Sequence, residues 1–182
     1  DPTVTLQPDP TDGCDAFVQE ALPDTNYGTA AHGNTGMSSD GKLRRFFIKF
    51  NLSSIPTNTN IINAIFSLRV YSGASSPTCQ LQKVTDSWDE STLTWNNQPT
   101  YDPTIIASQA YSTTGWFNLN ITTAVQDIAD GATNYGWVLK LSDETLTTER
   151  YIVFYTSDYT TDANLRPKLE IEYTVPPPSG GS

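Results

Sequence analysis

The 182-residue sequence is poor in nearly everything that catalysis or membrane insertion draws on. It has one histidine, His32, in the stretch Ala30-Ala-His-Gly-Asn34, so no second imidazole exists to build a zinc site. HExxH, GxSxG and a glycine-rich phosphate loop are all missing, which removes the enzyme classes built on them. No apolar run approaches the roughly 18 residues that a spanning helix requires. Cations are scarce too: ten Lys and Arg stand against twenty Asp and Glu, a net charge of −10 with a pI near 4.3. Nucleic acid needs clustered Lys and Arg, so it is a poor partner, and an anionic membrane is equally so. Charged residues make up only 16%, against about 25% in ordinary soluble domains. Thr, Ser, Asn, Gly and Pro fill the difference.

Cysteine is nearly absent. If Cys14 and Cys79 pair, they close a loop across much of the N-terminal half and contribute about 4 kcal/mol. Two buried free thiols are the alternative, and spacing alone does not decide between them. The chain opens on Asp1 without an initiator Met or a basic-then-apolar leader, which fits either a trimmed chain or a protein whose signal peptide has been removed. An oxidising, extracellular or cell-surface location is the expectation. Asn51-Leu-Ser53 and Asn120-Ile-Thr122 are glycosylation sequons, a pattern that also arises by chance.

What is present is a two-residue hydrophobic rhythm, the mark of strands with one buried face. Ala64, Phe66, Leu68 and Val70 alternate with Ile65, Ser67, Arg69 and Tyr71. Phe46, Ile48 and Phe50 alternate with Arg45, Phe47 and Lys49. Leu169, Ile171, Tyr173 and Val175 alternate with Lys168, Glu170, Glu172 and Thr174, and Ile152 and Phe154 open a similar run. Turn clusters such as Pro23-Asp-Thr-Asn-Tyr-Gly28, Ser39-Asp-Gly41 and Asn96-Asn-Gln-Pro99 separate the runs. The expected fold is all-β, an antiparallel β-sandwich or jelly roll. One short helix is predicted to close an end of it, with Thr123-Ala-Val-Gln126 as a capping box, an apolar stripe from Ala124 to Ala129, and Asp130-Gly131 as the stop. At roughly 150 residues per domain the chain makes one module, residues 1–175. Residues 176–182, rich in Pro, Gly and Ser, have the composition of a linker or tail.

Several segments together resemble one known family. Pro23-Asp-Thr-Asn-Tyr-Gly28, Arg44-Arg-Phe-Phe-Ile-Lys-Phe-Asn-Leu-Ser-Ser-Ile-Pro56 and Val84-Thr-Asp-Ser-Trp-Asp-Glu-Ser-Thr-Leu-Thr-Trp-Asn-Asn-Gln-Pro99 come first. Gly115-Trp-Phe-Asn-Leu-Asn-Ile-Thr122 and the helix follow, and then Tyr151-Ile-Val-Phe-Tyr-Thr-Ser-Asp158 and Asp162-Ala-Asn-Leu-Arg-Pro-Lys-Leu-Glu170. In order and spacing these are similar to the DNRLRE-type domain grouped with carbohydrate-binding module family 96, although the naming hexapeptide is not present letter for letter. The resemblance implies an extracellular jelly-roll module of large secreted or surface-displayed proteins, often in tandem. For some members it implies polysaccharide binding, alginate included.

Candidate sites follow from chemistry. Sugars pack their C–H faces on flat rings, and Trp88 and Tyr159, in polar, turn-flanked stretches, are the expected surface platforms. Trp95 and Trp137 sit among apolar residues and are expected in the core. An acidic polysaccharide needs counter-charges, for which Arg44, Arg45, Lys49 and Arg69 are placed on strand faces. A structural calcium ion is conceivable at Asp15, Asp24 and Asn26, because hard cations gather carboxylate, amide and carbonyl oxygens. An Asx-turn, in which Asp24 and Asn26 bond their own backbone, is the preferred reading of that pair. The acidic stretch Asp86, Asp89 and Glu90 reads as a solvated turn rather than a glycosidase pair. Two functions remain, neither catalytic. The first is a structural subunit of a cell-surface fibre or adhesin, associating with copies or tandem neighbours through edge strands and tail. The second is a polysaccharide-binding module attached to a secreted protein.

Overall fold

The computed structural model describes residues 1–175, and the predicted linker 176–182 lies outside the described residues. The elements run β1 (Thr3–Leu6), β2 (Cys14–Gln19), β3 (His32–Met37), β4 (Leu43–Lys49), β5 (Asn60–Ala74), β6 (Thr78–Val84), β7 (Tyr101–Ala110), β8 (Gly115–Asn120), α1 (Thr122–Ala129), β9 (Trp137–Leu141), β10 (Arg150–Tyr155) and β11 (Lys168–Thr174), with one 3-10 turn at Ala163–Leu165. All strand pairings are antiparallel, in the order β1-β11-β5-β10-β3-β4-β9-β6-β7, with β8 added to β5 and β2 to β4.

This sheet curls into two layers. β5 organises the first, with β8 on one edge and β11 followed by β10 on the other. β4 organises the second, flanked by β2 and β9, with β6 and β7 beyond. Only Gly36↔Arg44 and Met37↔Leu43 join β3 to β4 at the seam. Between the layers lies the main core, in which the apolar positions of each strand interdigitate: Phe66, Leu68 and Val70 with Phe46, Ile48, Leu81, Leu139, Phe154 and Leu169. Phe46 meets Phe154 edge-on at 4.7 Å. Burying each such side chain contributes about 1.5–3 kcal/mol, so the alternation read from the sequence is the main driving force of the fold.

The second layer is apolar on both faces. Phe47, on the side of β4 shared with Arg45 and Lys49, is fully buried in a smaller cluster with Ala16, Val18, Val84, Leu93 and Val138. The long connection between β6 and β7, residues 85–100, roofs this cluster with Trp88 and Trp95. Trp137 is 1% exposed and packs against Phe50, so its core position is as expected.

The structure decides between two alternatives for the cysteines and departs from the expected helix cap. Cys14 and Cys79 are free thiols. Cys14 pairs with Lys49 beside the Trp137 end of β9, whereas Cys79 pairs with Leu141 at its other end, so the barrel-like curl holds them apart. The helix has no side-chain cap: Ile121 is its N-cap, and Gln126 turns to β5, accepting from the Ile61 amide and donating to the Thr59 carbonyl. Docking the helix on the end of β5 thus satisfies Gln126 in place of the capping box. The stop is as predicted, with Gly131 at φ +112° donating to the Ile128 carbonyl.

Candidate functional site

The basic and aromatic residues singled out in the sequence divide into two groups, those consumed by the fold and those left facing out. Arg44, 8% exposed, forks onto both carboxylate oxygens of Asp40 at 2.9 Å and also reaches the Lys42 carbonyl and Gln19. Arg45 lies in the roofed cluster, bidentate to Glu144 at 3.0 and 2.8 Å, bonded to Gln98, and stacked over Trp95 with its guanidinium 5.1 Å from the ring centre. Burial pushes the Glu144 carboxyl up, but the hydrogen bond and charge of Arg45, with Lys140, outweigh it and hold the carboxyl below its ordinary range. Trp88 closes the same cluster, its indole N–H donating to the Tyr135 carbonyl at 2.6 Å and its ring 5.8 Å from Phe47. Arg44, Arg45 and Trp88, three of the six residues expected to meet sugar, are therefore structural: charge and aromaticity in a strand-and-turn pattern do not reveal which side chains the fold itself engages.

Tyr159 belongs to the second group. The turn after β10 brings it onto Tyr155 at 4.0 Å and 23°, and Tyr155 stacks on Tyr71 at 4.5 Å and 24°. Tyr71 is the extra residue of a β-bulge where the β5–β10 register slips, with Val70 opposite Phe154 but Ser72 opposite Val153, and it lies on the outer side against Tyr155. Tyr71 is 42% exposed. Desolvation first, then the hydrogen bond and charge of Tyr159, raise the Tyr155 phenol above its ordinary range, while nearby Arg69 opposes this. The Arg166 guanidinium fixes the far end by donating to the Tyr159 carbonyl at 2.7 Å.

On the same outer face, Arg69 of β5 pairs across from Trp116 of β8. Trp116 lies under two cations, the Lys168 ammonium at 4.5 Å and the Arg69 guanidinium at 5.9 Å. Lys168 has a weak acidic neighbour, Glu170 at 3.6 Å. Of the five arginines in the chain, Arg44, Arg45, Arg150 and Arg166 are bonded. Among the described residues Arg69 has neither a hydrogen bond nor a carboxylate partner. The face thus combines four aromatic rings, two cations and the exposed Asn118 amide, which the buried Ser67 hydroxyl holds by donating to its oxygen at 2.6 Å. Alternation placed Arg69 and Tyr71 outward in the sequence; the bulge and the Tyr159 turn, which bring the rings together, left no local signal.

A third constellation is acidic. Carboxylate oxygens of Asp15, Glu90 and Asp158 lie within 4.8 Å of one another. Asp15 is buried, accepting from the Ser157 hydroxyl and amide, and its own amide donates to Glu90 Oε2 at 2.8 Å. Burial is the main force raising Asp15 to about 6, with the Asp158 charge adding to it and the Ser157 bonds opposing. Glu90 is pushed to about 7, again chiefly by burial and then by the charges of Asp15, Asp158 and Asp89 against the Asp15 amide bond. Asp24 and Asn26, grouped with Asp15 in the sequence reading, are engaged elsewhere. Asp24 accepts from Asn96, while Asn26 forms an Asx-turn with the Gly28 amide and donates to the Glu90 and Leu93 carbonyls.

A groove of about 400 Å³ between α1 and β7 contains Asp102 and Asp127. The Thr104 amide and hydroxyl hold the exposed Asp102 carboxyl below its ordinary range, the opposite of what a general acid needs.

The profile of carbohydrate-binding module family 96 matches residues 6–173, almost the whole described chain. The chain belongs to carbohydrate-binding module family 96. Among curated proteins, a gellan lyase of Bacillus sp. is 33% identical over 117 residues, 60% of this chain and 4% of that protein. The tRNA nuclease WapA of Bacillus subtilis strain 168 is 24% identical over 181 residues, 89% of this chain and 7% of that protein. The chain therefore spans less than a tenth of the length of these relatives. No helix among the described residues is long and apolar enough to cross a membrane.

Proposed function

We propose that this family 96 module is a non-catalytic, extracellular polysaccharide-binding unit. Its glycan platform is the outer face formed by Tyr71, Tyr155, Tyr159 and Trp116 with Arg69 and Lys168. The observation that carries the reading is Arg69: an arginine without an acidic partner among the described residues, set beside aromatic rings on a protein of net charge −10. Aromatic surface packs against sugar C–H faces, tyrosine hydroxyls and the exposed Asn118 amide bond ring hydroxyls, and the two cations select a polymer bearing carboxylates. The overall negative charge opposes such a polymer at long range, so recognition rests on close contact and weakens little with added salt. The match to a carbohydrate-binding family, and a relative named for a polysaccharide lyase, support this over the fibre-subunit reading.

Affinity electrophoresis in gels containing alginate, pectin or a neutral glucan tests it. Retardation is expected on an acidic gel, lost in Arg69→Ala and Tyr71→Ala, and kept in Trp88→Phe. Equal mobility on every gel, or retardation indifferent to Arg69, rejects it.

A further inference from the structure

The acidic trio differs from carboxylates such as Asp40, Asp86 and Asp143, which sit in exposed turns and loops. Its members come from three distant stretches: Asp15 opens β2, Glu90 sits in the connection that roofs the small cluster, and Asp158 lies in the turn after β10. Their ligand oxygens fall within 4.8 Å of one another. Two oxygens on opposite sides of one calcium ion, at about 2.4 Å each, are about 4.8 Å apart, so all three carboxylates fit a single coordination shell. The second observation is independent of the clustering. Oδ2 of Asp158 is fully buried and has no hydrogen-bond partner, a state that costs a charged acceptor heavily when nothing compensates it. Asp15 is itself only 2% exposed. The cations nearby are Arg166, whose charge reaches Asp158, and Lys49, whose charge reaches Cys14 and Asp89. Neither forms an ion pair with the trio among the described residues.

The surrounding backbone is built for close approach. A Cβ on Gly13 would lie 2.1 Å from Ser157 Oγ, and one on Gly28 would lie 2.2 Å from the Glu90 carbonyl. Glycine at these two positions lets the three segments converge.

We propose that Asp15, Glu90 and Asp158 form a divalent cation site of the calcium class that staples β2, the 85–100 connection and the turn after β10. The carboxylates supply one converging oxygen each, and water completes the shell of six to eight that calcium takes. Because Tyr159 follows Asp158 directly, the ion also fixes the turn that carries the end of the tyrosine row. The site stands on its own geometry, whether or not that row binds glycan.

The test is isothermal titration and thermal melting of the intact module, stripped with EDTA and then given calcium chloride or magnesium chloride. Calcium is expected to bind saturably at one site. At a 100-fold excess over Kd it raises the melting temperature by about 5–10 °C, and magnesium produces less. Asp158→Asn and Glu90→Gln, both at half-buried positions, are expected to remove the calcium response. In EDTA they melt at or above the parent temperature, since each relieves repulsion. A parent without saturable calcium binding overturns the proposal, as does a calcium response surviving both substitutions or a larger response to magnesium. Variants that melt well below the parent in EDTA would mark the trio as purely structural and overturn it too.

Discussion

Replacing Arg45 with alanine separates an arginine that holds the fold from one that meets ligand. Its side chain is 16% exposed and Glu144's 15%, so the substitution strands a mostly buried carboxylate whose remaining ion partner is Lys140 at 3.2 Å. Breaking a buried pair by removing one member costs about 3–5 kcal/mol. The surviving Lys140 contact reduces that, while the lost stacking on Trp95 at 5.1 Å and Tyr101 at 5.7 Å adds about 0.5–1 kcal/mol for each cation–π contact. A net loss of about 3 kcal/mol follows. For a domain of this size each kcal/mol moves the midpoint by about 2–4 °C, so melting should fall by about 6–12 °C. Circular dichroism melts measure it, with glycan retention recorded well below the midpoint. A change under about 2 °C, or lost retention in a variant that melts normally, would refute the assignment of Arg45 to the fold.

Further outcomes follow from the same contacts. Glu144 is held below its ordinary range when folded, so its contribution is present above the unfolded pKa near 4.5 and lost as pH falls through the depressed value. Glu144→Gln should therefore be less stable than the parent at pH 7, with the gap in urea midpoints closing toward pH 3; a gap independent of pH contradicts this. Burial pushes the Cys79 thiol to about 12 and Cys14 to about 11, so both stay protonated and slow to react at neutral pH. A thiol reagent should count two per chain after denaturation and few before it; none after denaturation would mean a disulfide. Gly28→Ala sets a methyl against the Glu90 carbonyl at 2.2 Å and should cost about 1–3 kcal/mol by overpacking, read from urea midpoints.

The layered β fold was legible because burial on one face imposes a period of two, and β5 and β11 obey it cleanly: Phe66, Leu68, Leu169 and Ile171 are all fully buried. Phe47 broke the pattern for a physical reason. Its strand face is covered by residues 85–100, and such a fold-back depends on contacts between segments far apart in sequence. The same covering turned Trp88 and Arg45 from surface candidates into structural parts. Tyr159 was identifiable from its polar surroundings, whereas its partners needed the bulge at Tyr71 and the turn after β10. Asp15 stood out as a possible cation ligand, but its neighbours Glu90 and Asp158 became visible only once three distant segments converged.

Backbone and indole nitrogen correlation spectra of the labelled module, titrated with a short acidic oligosaccharide, test the proposed glycan platform most directly. Shifts should concentrate at the Trp116 indole N–H and the amides around Arg69, Tyr71, Tyr155, Tyr159 and Lys168, leaving the Trp88 indole N–H and the amides around Arg45 unmoved. Perturbations centred on the roofed cluster or on the α1–β7 groove, with the tyrosine row silent, would contradict it.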